Sequence, residues 1–219
     1  MQASVSADFA AFAAADWTRL HDGGACTTHA LYAALESSGS VNGNSGWESA
    51  HLRLDDGDTL AAAVPLYVKH HSYGEYVFDW AWADAYRRHG LDYYPKLVAA
   101  VPFTPVPGAR FFARDAATRE AAIAHTLGLA EASGASSLHI LFPSADEVEA
   151  LRAHGLLIRE GVQFHWHNRG YRDFDDFLGH LSQPKRKKIR QERRRAGEHG
   201  LRIEWLDGHS ASADDWRFF

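Results

Sequence analysis

Carboxylates, amines and aromatic rings crowd the stretch VPLYVKHHSYGEYVFDWAWADAYRRHGLDYYPKLVAAVPFTPVPGARFF, Val64 to Phe112. Glu75 and Asp79 lie four residues apart where Gly74 breaks an apolar run. A carboxylate partly buried among rings has its pKa raised toward the range of a general base, and Asp79 also suits the cap of a following helix. Lys69 closes one apolar run, Lys96 opens the next, and Arg110 follows a proline-rich turn that also carries Thr104. Such cations bind phosphate or carboxylate groups of a ligand, or serve as ordinary surface charges. Trp80, Trp82, Tyr86, Tyr93 and Tyr94 fall within fifteen residues, interleaved with Asp79, Asp84, Arg87, Arg88 and Asp92. Rings beside charges suit a ligand site, because a ring buries much area while its polar tip still hydrogen-bonds. A half-buried amphipathic helix fits the same composition.

A second feature is PKRKKIRQERRR, Pro184 to Arg195, with eight Lys or Arg against Glu192. Its net charge of +7 leaves −12 on the remainder of a chain whose total is −5. Only Ile189 and Ala196 are apolar between Lys185 and His199. That stripe is too narrow for a core, so the helix is either solvated or bound to anions through Lys185, Arg186, Lys188 and Arg190. The fourteen histidines show no metal-site spacing; His165 and His167 share a strand face but have no Cys or carboxylate partner at ligand distance in sequence.

The elements that must position these groups follow from periodicity and punctuation. A short helix is expected over Asp16 to His21, and a second in TTHALYAALESSG between a Thr cap and Gly39. HLRL and TLAAAVPLYVK flank DDGD as a hairpin turning at Asp56 and Gly57, with Pro65 demanding an edge or a bulge. Ala81 to His89 reads as a helix ended by Gly90, KLVAAV as a strand, and PFTPVPG as a rigid irregular loop. Ala116 to Ser133 is a long helix, Ser137 to Phe142 a buried strand, and Ser144 caps a helix running to His154. LLIREGVQFHWHNRGY supplies one or two further strands. Asp173 to Gly200 is a helix pair broken at SQP. LRIEWLDG and SADDW then begin a new strand and helix within the last nineteen residues, the pattern of an N-terminal fragment. On this order Lys69, Tyr73, Glu75, Asp79, Trp82, Tyr94 and Lys96 converge on one concave face at the C-terminal side of the central strands.

The sum is a mixed α/β chain, and 219 residues with 46% hydrophobic content suffice for a full core. A lone cysteine, Cys26, excludes an intramolecular disulfide, and the N-terminus carries Asp8 and Asp16 with no basic segment or long apolar run. A cytoplasmic protein without a membrane span is expected.

GWESAHLRL, PLYVKHHSYGEYVFDWAWADAY, YYPKL and VPFTPVPGARF resemble the FemAB-like family, associated with peptidoglycan biosynthesis and recognition and with GNAT-type N-acyltransferases. The resemblance runs from about Trp17 to the end, and FLGHLSQPKRKKIRQERRRAGEHGLRIEWL is similar to the entry of such proteins into a second domain. It implies a GNAT-like fold over residues 1–171, a central mixed sheet flanked by helices, followed over 172–219 by a basic linker helix and the start of a second such domain. It further implies acyl or aminoacyl transfer to an amine, with acyl-CoA or aminoacyl-tRNA as donor, a peptidoglycan precursor as acceptor, tRNA as a partner and no metal. Within that reading Glu75 and Asp79 are the catalytic candidates, Lys69, Tyr73, Trp80, Trp82, Tyr93, Tyr94, Lys96, Thr104 and Arg110 the substrate-binding ones, and the basic run the anion contact. One departure matters: no Arg/Gln-x-x-Gly-x-Gly/Ala turn precedes a helix, and VPGAR is a faint echo in which Pro107 removes an amide donor. Two alternatives stay open, a non-catalytic domain that recognises an envelope precursor and a nucleic-acid-binding module built on the basic helix.

Overall fold

The DDGD hairpin is the spine of the structure, and its two arms are long enough to serve two sheets in turn. The computed structural model describes all residues except Asp22, His199, Leu201 and Arg202. In chain order the first unit, Met1–Glu160, contains β1 (Gln2–Ser6), α1 (Ala14–Leu20), α2 (His29–Ser37), β2 (Trp47–Ser49), β3 (His51–Asp56), β4 (Thr59–Val64) and β5 (Leu66–Lys69). It continues with α3 (Trp80–Arg88), β6 (Lys96–Ala99), β7 (Phe112–Ala113), α4 (Ala116–Ser133), β8 (Leu138–Ile140) and α5 (Ala145–Ala153). The second unit, Gly161–Phe219, carries α6 (Phe174–Gly179), α7 (Gln183–Gly197) and α8 (Ala213–Phe218).

The expected single central sheet is replaced by two four-stranded sheets, ordered β1-β3-β4-β7 and β2-β5-β6-β8. Pro65 is the reason. It separates β4 from β5 while Ala50 separates β2 from β3, and the Ala50 amide still bonds the Leu66 carbonyl at 2.9 Å, so one hairpin passes from the first sheet into the second. A proline has no N–H for a ladder, which makes it a natural point of departure. All pairs are antiparallel except β6 with β8.

One face of both sheets packs on α4 and α5 through Leu52, Leu54, Ala62, Val64, Leu66 and Ala99 against Ala122, Ile123 and Leu151. The helices that cover it are set by their ends. Asp115 accepts the Thr118 amide at 2.7 Å, Gly134 closes α4 at φ 69, and the Glu147 carboxylate accepts the Ser144 amide at the start of α5. A register shift beside Leu54 pairs it with Ala62 and the next residue, Asp55, with Leu60. Ala61 is the extra residue, and the bulge turns Leu60 to the opposite face, where it joins Phe9, Phe12, Trp17, Tyr32, Ala63 and Phe112. That aromatic layer, from the N-terminal segment, seals the second face of the first sheet.

LLIREGVQFHWHNRGY forms no strand, contrary to expectation: no residue of it joins a ladder, and Leu157 and Phe164 are 98% and 95% exposed. Its alternating apolar residues find no neighbouring strand among the described residues. The strand expected in LRIEWLDG begins at two residues outside the described set, and Ile203 to Leu206 are not in a ladder. The three hydrophobic clusters of buried residues lie wholly in the first unit.

Candidate functional site

The second face of the second sheet is where the charges are. Alternation along β5 puts Tyr67 and Lys69 on one face, and alternation along β6 puts Lys96 and Val98 on the same one. Cross-strand register makes a row, Trp47 opposite Lys69 and Lys69 opposite Lys96. Both lysines are fully buried, so neither is the surface cation that the sequence suggested.

Lys96 is the centre. Its ammonium donates to Asp79 Oδ2 at 2.5 Å, Glu75 Oε2 at 2.8 Å and Ser72 Oγ at 2.9 Å, which uses all three of its protons. Tyr93 donates its hydroxyl to Asp79 Oδ2 at 2.6 Å, and Ser72 Oγ lies 2.8 Å from the Tyr94 hydroxyl. Glu75 Oε1 and Asp79 Oδ1 are buried and accept no hydrogen bond among the described residues. Asp79 occupies the N-cap position of α3 without capping it, because its carboxylate is turned to Lys96 and Tyr93.

The two carboxylates on one ammonium are driven apart. Burial pushes Glu75 above the ordinary carboxylate range despite the pull of Lys96. Burial also acts on Asp79, but hydrogen bonds from Lys96, Ser72 and Tyr93 outweigh it and hold the group at about 2. Such a separation is how two acids at one site take different roles. Lys69 lies 3.9 Å above the Trp47 ring, donates to the Tyr73 carbonyl at 3.1 Å, and is lowered to about 8 by burial against the opposing pull of Glu75. His139, on the same face next to Val98, is lowered to about 4 by burial and by the Lys96 charge, so it is neutral at physiological pH.

A recess of about 460 Å3 adjoins this cluster, lined by Trp80, Ala83, Asp84, Arg87, Leu91, Asp92, Tyr93 and Tyr94. Tyr93 and Tyr94 thus face both the recess and the buried charges. The structure brings Glu75, Asp79, Tyr93, Tyr94 and Lys96 together, with Lys69 in the neighbouring row. Tyr73 packs its exposed ring on Trp80, centroids 5.1 Å apart, whereas Trp82 is 59% exposed and lines no part of the recess.

Arg110 requires a correction. It is buried, and its guanidinium donates to the carbonyls of Val106, Gly108, Ala109 and Leu141. It therefore staples the proline loop to β8's exit rather than meeting a ligand. Thr104 bonds the Pro102 carbonyl in the same loop. The VPGAR amides are likewise committed: Gly108 N–H goes to Phe142 O, and the Arg110 and Phe111 amides to Glu147 at 2.8 and 2.7 Å. Those three amides are taken up within the fold.

The loops around the cluster are strained. Tyr76, Phe78, Phe103 and Phe142 have φ of 60, 50, 59 and 52, a region that bulky side chains rarely enter and that costs about 1–3 kcal/mol each. Gly74, at φ +81, is required, since a Cβ there would lie 2.7 Å from the Phe103 ring. Sequence reasoning missed Ser72, Trp47 and His139, and also a second buried network in which Glu36 accepts from Phe9 N at 2.6 Å, Ser49 Oγ at 2.5 Å and His51 Nε2 at 2.9 Å. Face alternation in YVK and KLV was the available signal for the buried lysines.

In the second unit, Arg186, Lys187, Arg190 and Arg194 share one face of α7 and, with Gly179, Gln183 and Gln191, line a groove of about 780 Å3. Arg190 pairs with Asp175 at 3.0 Å, Arg186 donates to the Gly179 carbonyl, Lys188 pairs with Glu192, and Lys185 is exposed. No group of three or more potential metal ligands occurs among the described residues, and no described helix is long and apolar enough to cross a membrane.

The model of the FemAB-like family, described as peptidoglycan biosynthesis/recognition, matches residues 8–219. No curated protein and no solved structure matches the chain. The chain belongs to the FemAB-like family.

Proposed function

Starting from that membership, we propose that the protein is an N-acyltransferase whose acceptor is an amine of a cell-envelope precursor. The observation that carries the reading is the buried Lys96–Glu75–Asp79 cluster joined to an aromatic recess by Tyr93 and Tyr94. Acyl transfer to an amine needs the amine freed of its proton, stabilisation of the oxyanion that forms, and two substrates held together. The pair of carboxylates with separated proton affinities supplies the first, donor hydroxyls at the recess the second, and the rings the third. The fold is read as GNAT-like, with the antiparallel hairpin leading into the parallel β6–β8 pair, and residues 172–219 as the entry to a second such domain. The acyl donor is acyl-CoA or aminoacyl-tRNA. The α7 groove is its anion contact, because four cations on one helix face attract phosphates.

The deciding experiment incubates the protein separately with acyl-CoA and with aminoacyl-tRNA donors and amine-bearing precursors, with mass detection of acylated product. Product with either donor, reduced in turnover more than in binding by Glu75→Gln, supports the reading. Absence of product with both, alongside retained precursor binding, leaves the second reading, recognition without catalysis. One observation favours that alternative: the side chains of Glu75 and Lys96 have no exposed surface, as in a structural ion pair.

A further inference from the structure

The segment that covers the buried charges, Ser72 to Trp80, is built inside out. Ser72, Glu75 and Asp79 are buried, while Tyr73, Tyr76, Phe78 and Trp80 are exposed, the reverse of the usual sorting of these residue types. Two of the exposed rings, on Tyr76 and Phe78, stand on left-handed backbone. The grip of the segment on the body is mostly polar. From Ser72 to Phe78 it joins neither strand nor helix, and Val77 is its one residue packed against a hydrophobic cluster. Lys96 holds it by Ser72, Glu75 and Asp79, Lys69 by the Tyr73 carbonyl, and the Phe103 amide by the Gly74 carbonyl at 3.2 Å. Glu75 Oε1 and Asp79 Oδ1 are buried by this closure and gain no partner among the described residues.

Beneath the segment lies a pair of amines. Lys69 and Lys96 stand directly opposite each other on β5 and β6, and like charges so placed repel unless anions join them. In the closed structure those anions come from the covering segment itself: Lys96 bonds both carboxylates, and Glu75 feels the charge of both amines. We propose that Ser72–Asp79 is a strap that lifts off the second sheet, and that its carboxylates hold the place of an oxyanion, a phosphate or carboxylate group of a ligand, which Lys69 and Lys96 bind when the strap is open. Opening returns Glu75 and Asp79 to water, lets Tyr76 and Phe78 leave the left-handed region, and frees two neighbouring cations for the ligand. It also gives the acids of the proposed transfer reaction a route to a substrate; that last clause rests on the function proposed above, and the opening and the anion site do not.

Thiol labelling of the full chain tests the proposal without reference to activity. In a Cys26→Ser background, Ser72→Cys places a thiol under the strap and Ala62→Cys places one in the core of the first sheet. With iodoacetamide the Ser72→Cys thiol is expected to react about 100-fold faster than the Ala62→Cys thiol, at a rate that low urea leaves unchanged, whereas the second follows global unfolding. Wild-type protein gives the same contrast by amide exchange: Phe103, bonded to Gly74, exchanges through a urea-insensitive opening, and Leu141, bonded to Ala99 at 2.9 Å, does not. Equal urea dependence at the two amides overturns the strap. Tyr76→Asn, which suits left-handed backbone, slows labelling of the Ser72→Cys thiol roughly 5-fold, and an unchanged or faster rate contradicts a strained strap. Inorganic phosphate or acetate, exchanged for chloride at constant ionic strength, speeds that labelling about 10-fold at saturation, the faster of the two identifying the preferred oxyanion. No acceleration by either overturns the anion site. Should the donor experiment yield no product while labelling behaves as expected, the acyl-transfer reading falls and the strap stands.

Discussion

The two sheets of the first unit are strands of one hairpin carried onward, yet their outer faces are built from opposite chemistry. The first is sealed by hydrocarbon and rings, with Phe9 stacked 4.9 Å from Tyr32 and Trp17 tilted 4.6 Å from Phe112. The second holds two buried amines and two buried carboxylates under a loop with strained aromatic residues. Hydrocarbon burial stabilises by area, about 1.5–3 kcal/mol per large side chain. Ion burial costs desolvation that attraction roughly returns, so the second face is held by balance. A protein needing only stability gains little from the second arrangement.

Breaking the balance has the largest expected effect. Lys96→Met leaves Glu75 and Asp79 buried without a counter-charge and costs about 3–5 kcal/mol in urea unfolding. Adding Glu75→Leu and Asp79→Asn to the same chain restores much of that loss; if it does not, the cluster contributes stability that balance does not explain. On the hydrocarbon side Leu54→Ala costs about 3 kcal/mol, within the range for cavity formation, with no partner mutation able to restore it.

Lys69 sharpens the comparison in the other direction. Its folded pKa of about 8 lies below the unfolded value of 10.5, so the folded state binds the proton more weakly. The penalty is fully present below pH 8 and is relieved as pH rises from about 8 to 10.5. Lys69→Met therefore raises stability at pH 7, on the order of 1–3 kcal/mol, and removes that alkaline rise. A lower unfolding midpoint for this variant at pH 7 contradicts the assignment. The smallest effect concerns Glu36, which ties the junction of the two sheets. Burial raises it, but bonds from His51, Ser49 and the Phe9 amide hold it at about 2 against an ordinary 4.5. Its contribution is present above pH 4.5 and lost as pH falls toward 2, and Glu36→Gln flattens that part of the acid unfolding profile.

Much of the hydrocarbon side was legible in the sequence. Helices α4 and α5 fall where Asp115, Gly134, Ser144 and Gly155 punctuate an apolar period, and the hairpin turn is written in DDGD. The split into two sheets was harder to read, since Pro65 announces a break without saying that both arms continue. β1, QASVS, is short and almost wholly exposed, with Val5 its one large apolar residue, and is held by pairing with β3. The VQFHWH segment alternates like a strand, but alternation specifies a face and cannot supply the neighbour. At the charged site the residue types were legible and their burial was not. Lysine is seldom fully buried without partners, and the partners of Lys96 stand 17 and 21 residues away in sequence, where only tertiary structure joins them.

The passage of one hairpin between two sheets also makes one order of assembly the cheapest in loop closure. Zipping from Gly57 outward forms β3 with β4 through contacts close in sequence, at little loop-closure cost. Continuing past Ala50 and Pro65 delivers Lys69 to its place with β2 already beside it. β6 must then arrive across the long loop that carries Ser72, Glu75 and Asp79, so Lys96 meets its carboxylates only when that loop closes.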